Sequence, residues 1–132
     1  MNIVLVAHDN KKKLMQNFCT AYRPILNKHM LYATDTTGRL IEEATGLRVH
    51  RVLAGHLGGE MQIGSLIEQN EIDLVIFLRD PQIDHNHDHS LNLIVQMCDV
   101  HNIPVATNLA TAEALVLALD RGDLNWRELY RS

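Results

Sequence analysis

Leu74 to Leu78 reads Leu-Val-Ile-Phe-Leu, five apolar side chains in a row with no polar residue among them. A strand with one face in water alternates apolar and polar residues. A short, unbroken apolar run is instead the mark of a strand buried on both faces, the situation of a parallel sheet covered by helices. Residues 3–7 form a second such run, and 30–34, 49–53 and 103–107 are read as three further strands. The segments between and after them (10–22, 37–45, 60–70, 90–101 and 110–121) carry helical composition and spacing. Ile63, Leu66 and Ile67 share one helix face, and Gly46 and Gly122 stand where glycine ends a helix. Strands alternating with helices of about ten residues predict βαβ units. Right-handed crossovers then place helices on both faces, a three-layer α/β/α sandwich around a five-stranded parallel sheet. With 132 residues and no internal repeat or linker, a single domain spanning 1–132 is expected.

Composition narrows the functional classes. Hydrophobic residues make up 46% and charged residues 21%, which suits a packed core and not a disordered chain. The net charge of −4 argues against general nucleic-acid binding, which needs a basic surface. No run approaches the roughly 20 apolar residues of a membrane span. The start, Met1-Asn2-Ile3-Val4-Leu5-Val6-Ala7, has no basic leader, and a cytoplasmic protein without membrane partners is expected. Cys19 and Cys98 follow no metal-ligand spacing and are read as free thiols.

Ligands of open parallel sheets bind beyond the carboxyl ends of the strands, so the residues there are the candidates. The first end carries His8 and Asp9, with Lys12 close behind. The second carries Thr34-Asp35-Thr36-Thr37-Gly38. Hydroxyls and backbone N–H groups opening a helix form an anion cradle, and Lys12 would add a cation. Helix capping by Thr36 or Thr37 is the competing account of the same residues. The third end has Gly55, Gly58 and Gly59 before Glu60, which reads either as a general base brought to a close-approach loop or as a surface acid at a helix start. The fourth carries Asp80 and then 84–89, Asp-His-Asn-His-Asp-His. In extended backbone His85, His87 and His89 would share one face, but the order of acids and imidazoles does not match a metallo-hydrolase pattern, and no metal is expected. Asp9 and Asp80 end buried strands. They are expected to orient a His, a Lys or a substrate hydroxyl, or else to cap the following turn.

Taken together these segments resemble the methylglyoxal synthase family. The resemblance rests on Val6-Ala7-His8-Asp9 with Lys12, Ala33-Thr34-x-Thr36-Thr37-Gly38, and Gly55-x-x-Gly58-Gly59-x-x-Gln62-x-Gly64. It continues in Phe77-x-x-Asp80-Pro81, His87, and Ile103-Pro104-x-Ala106-Thr107-Asn108, so it covers nearly the whole chain. It implies a sheet of order 3-2-1-4-5, a homohexamer, no metal or organic cofactor, and elimination of phosphate from dihydroxyacetone phosphate to give methylglyoxal. Carried over by position, His8, Lys12, Thr34, Asp35, Thr36, Thr37, Ala54 and Gly55 would hold the substrate. Glu60 would be the catalytic carboxylate, and His87 would polarise the carbonyl. The sequence departs from the family pattern within the site. Glu60 stands for Asp, Asp35 for Gly, Ala54 for Ser, His56 for Pro, and Ser90 for an acid.

The reaction takes a proton from carbon beside a carbonyl and then expels phosphate. A partly desolvated carboxylate can be the base and a neutral imidazole the hydrogen-bond donor to the enediolate oxygen. A second class of function fits the same residues: a non-catalytic module that binds a phosphorylated metabolite.

Overall fold

The computed structural model describes residues 1–52, 59–84 and 88–130, with the side chains of 59, 60 and 130 outside the description. Its five strands are β1 (Asn2–Ala7), β2 (Met30–Thr34), β3 (His50–Val52), β4 (Leu74–Leu78) and β5 (Val105–Ala106). They form one sheet of order β3-β2-β1-β4-β5, and every pairing is parallel. The helices are α1 (Lys12–Ala21), α2 (Arg23–Leu26), α3 (Asp35–Thr45), α4 (Gly59–Glu68), α5 (His89–His101), α6 (Leu109–Asp120) and α7 (Arg127–Tyr130).

The period-2 alternation of a strand divides the core in two. Ile3, Leu5, Leu74, Ile76 and Leu78 pack with Met15 and Phe18 of α1, Ile41 of α3 and Val116 of α6. Val4, Val6, Val75 and Phe77 face the other way, onto Ile63 and Ile67 of α4 and Leu91 and Ile94 of α5. Both faces of β1 and β4 are thus covered, which is why their sequences show no polar alternation. Cys19 lies in the first cluster and Cys98 in the second, on opposite sides of the sheet, and both are free thiols. Burial pushes each thiol up to about 12, so neither supplies a thiolate nucleophile near neutral pH. No helix among the described residues is long and apolar enough to cross a membrane.

Several boundaries differ from the sequence expectation. Helix α3 begins at Asp35, two residues before the expected start, so Thr36 and Thr37 lie inside its first turn. Strand β5 is only Val105–Ala106, because Pro104 has no N–H to donate and contributes only its carbonyl, to Val75 N–H. A 3₁₀ turn, Asp9–Lys11, precedes α1. The four-residue helices α2 and α7 are too short to show a period and were not expected. Gly46 does end α3, at φ 72°, donating to Glu42 O.

Register sets the level at which the chain leaves the sheet. Leu5 pairs with Ala33, and Ala7 pairs with Leu78. His8 and Arg79 therefore emerge at one height at the carboxyl edge, with Asp35 one residue below them.

Candidate functional site at the carboxyl edge

The first turn of α3 opens toward β1. Thr34 occupies the N-cap position with extended backbone, and its side chain makes no capping hydrogen bond. Neither Thr36 nor Thr37 is the cap, so the capping account of this segment fails. The amino end of an eleven-residue helix is left without a side-chain acceptor at its cap, an arrangement suited to an anion. Thr34 and Thr37 are buried and Thr36 is exposed. Lys12 reaches across from α1. Its Nζ donates to Ala7 O at 2.8 Å and to Thr37 Oγ1 at 3.1 Å, and lies 3.6 Å from Asp9 Oδ1. The ammonium is thereby fixed beside the helix start, while the Asp9 side chain is fully exposed.

Asp35 would repel an anion if its carboxylate faced the helix axis. It turns instead toward Arg51, whose Nε lies 3.8 Å from Asp35 Oδ1 and 3.5 Å from Glu42 Oε1. Two acids and one guanidinium then share the outer flank of α3. Gly38 makes this packing possible, since a Cβ there would sit 2.6 Å from Arg51 Cγ.

His8 is held from three directions. Its backbone N–H donates to Leu78 O at 3.1 Å, continuing the β1–β4 ladder. Its ring meets the Phe77 ring edge-on, with centroids 5.1 Å apart. The backbone N–H of Asp80 donates to Nδ1 at 2.7 Å. Nδ1 therefore presents its lone pair, and the proton of the neutral ring sits on Nε2. The Asp80 carboxylate itself accepts from Gln82 N–H at 2.9 Å, closing the turn after β4. At Asp80 it is the main chain that meets a histidine, while the carboxylate closes a turn.

Sequence reasoning passed over Asp88. Its side chain is 5% exposed, and its Oδ1 accepts from Leu91 N–H at 3.4 Å as the N-cap of α5. Its Oδ2 lies 3.5 Å from His8 Nε2 and has no hydrogen-bond partner. An acid in the cap position of a strongly apolar helix was the available signal, and the neighbouring histidines obscured it.

Glu60 is the second residue of α4, as expected for a carboxylate near a helix start, and its side chain lies outside the described residues. Ala54, Gly55, His56, His85 and His87 also lie outside them. His89 is exposed and opens α5, so it does not continue an extended histidine tract. Of the remaining histidines, His29 takes a bond from the Met1 amine at Nδ1, and His50 stacks on Tyr32. A cavity of about 560 Å³ beside Trp126 and Arg127 is lined by none of the site residues. The carboxyl edge thus carries an uncapped helix start with an ammonium fixed beside it, and an imidazole whose Nδ1 is held by a backbone N–H.

Comparison with known proteins agrees in kind. A family described as the MGS-like domain matches residues 15–107. The methylglyoxal synthase of Caldicellulosiruptor saccharolyticus is 65% identical over 129 residues, covering 98% of this chain and 92% of that protein. That of Clostridioides difficile strain 630 is 53% identical over 132 residues, covering 100% and 96%. The crystal structure of methylglyoxal synthase from Elizabethkingia anophelis superposes with a TM-score of 0.80 at 44% identity, over 87% of this chain and 76% of that one.

Proposed function

The chain belongs to the methylglyoxal synthase family, and from that premise we propose how its residues turn dihydroxyacetone phosphate into methylglyoxal and inorganic phosphate. The protein is a lyase acting on a small phosphorylated substrate. The observation that carries the assignment of parts is the open start of α3 with Lys12 Nζ tied to Thr37 Oγ1. The substrate phosphate sits there, on the first-turn N–H groups of α3 and the hydroxyls of Thr34, Thr36 and Thr37, with Lys12 as counter-charge. Asp35 contributes its backbone while its carboxylate stays with Arg51. Ala54 and Gly55 are counted among the substrate-holding positions on the family resemblance alone. Asp9 flanks Lys12, and Asp80 secures His8.

Glu60 removes the proton from the carbon beside the carbonyl. His8, through Nε2–H, and His87 stabilise the charge that develops on oxygen. The enediolate then expels the phosphate by breaking its C–O bond, with the departing charge already met by Lys12 and the helix, and the enol left behind takes a proton at its CH₂ carbon to become methylglyoxal. No step uses a metal or an organic cofactor. We further place the protein in the cytoplasm as a homohexamer. Large apolar side chains left exposed, Met61 on α4 and Leu93 and Val100 on α5, support self-association. Light scattering should then give six copies of a 15.0 kDa chain, and a monomer would refute the hexamer.

Lys12→Ala tests the assignment. Loss of a charge-assisted contact worth about 1.5–3 kcal/mol should raise KM for dihydroxyacetone phosphate and weaken competition by inorganic phosphate in parallel. An unchanged KM would place the phosphate elsewhere.

A further inference from the structure

We infer that Asp88 is the positioning residue of His8, holding its imidazole by the Nε2–H edge while the Asp80 main chain holds the Nδ1 edge. Asp88 belongs to no motif of the family resemblance. Its burial is nearly complete, yet Oδ2 makes no hydrogen bond and faces His8 Nε2 at 3.5 Å. A buried carboxylate oxygen without a partner is costly, and a helix cap does not require it, because Oδ1 alone accepts from Leu91 N–H. Asn would cap α5 equally well without carrying the charge. What Asn lacks is an acceptor directed at Nε2. With its oxygen turned to Leu91 N–H, its amide N–H₂ would face the Nε2–H, donor against donor.

The separation of 3.5 Å is itself informative. It is an ion-pair distance rather than a formed hydrogen bond, so Nε2–H is oriented by Asp88 but not consumed by it. The proton remains free to turn to a substrate oxygen, and the carboxylate stabilises the ring as it donates. A fixed tautomer of this kind is worth up to about 10⁴-fold in the serine protease triad. Here Asp80 N–H shares the task, so a smaller effect is expected.

The test is Asp88→Asn, read in two independent ways. Nitrogen-15 NMR of the histidine rings follows His8 directly, assigned by its loss in His8→Gln. The native protein should show a single Nε2–H tautomer, and Asp88→Asn should replace it with a mixture or with the Nδ1–H form. Steady-state kinetics with dihydroxyacetone phosphate should show kcat lower by roughly 10-fold or more with little change in KM, and the melting temperature should be unchanged or higher. A native mixture of tautomers, or a variant that keeps both tautomer and kcat, would overturn the inference. A variant that loses kcat only in proportion to lost stability would also overturn it, by making Asp88 merely structural. The kinetic arm rests on the synthase reading given above. The NMR arm does not, so absence of turnover in the native protein would refute that reading and leave the tautomer result to decide Asp88.

Discussion

In the proposed mechanism Glu60 is the residue on which the chemistry turns. It follows two glycines, sits second in α4, and is one methylene longer than the Asp of the family pattern. A base displaced by about an ångström can lose on the order of 100-fold, unless the backbone before it compensates. Glu60→Gln keeps size and hydrogen bonding but removes basicity. Turnover should fall by about 10²–10⁴, with phosphate binding nearly unchanged, as measured by steady-state kinetics and phosphate competition. Near-native turnover would move the base to Asp9 or Asp80. His8, Lys12 and Thr37 were legible in the sequence because strand ends of a parallel sheet are where ligands bind. Asp88 was not legible, because its meaning comes from a side chain on another strand end, and no local pattern encodes that distance. The turn of Asp35 toward Arg51 was equally hidden, since Arg51 lies on β3 and reaches α3 only through the fold.

At the scale of elements, α3 has to present its amino end to the site while packing against β3. Gly38 permits the close approach, with Val49 Cγ1 and Arg51 Cγ both inside 3.4 Å of a built Cβ. Gly38→Ala should push the Arg51 stem away from Glu42 and Asp35 and destabilise the protein by about 1–3 kcal/mol, read by denaturant unfolding. It should also release the Asp35 carboxylate toward the anion site and raise KM. No change in either would mean that the flank of α3 yields freely. Element types followed from the sequence because β1 and β4 are buried on both faces and read as continuous apolar runs. Boundaries were less legible. The start of α3 differs because its threonines resemble caps, and β5 is shorter than expected because Ile103 N–H turns to Cys98 O and Pro104 has no N–H to donate.

The whole molecule is closed by a pair that no motif announced. Arg127, 3% exposed, directs Nε to Asp73 Oδ1 at 3.4 Å and spreads its other nitrogens over Asn102 O, Asn70 Oδ1 and Ile72 O. Asp73 in turn accepts from Asn2 N–H at 2.8 Å, tying the start of β1 to α7. Arg127→Met leaves the fully buried Asp73 without its cation and should cost about 3–5 kcal/mol in denaturant unfolding, while substrate KM at the opposite edge stays unchanged. A loss below 1 kcal/mol would show that the pair is dispensable. All of this architecture serves one reaction. Its most direct test is to incubate the purified protein with dihydroxyacetone phosphate in the presence of a metal chelator, following methylglyoxal and inorganic phosphate together. The account predicts catalytic release of both in equal amounts, undiminished by the chelator. Binding of the substrate without release of either product would contradict it and leave a sensor built on the synthase fold.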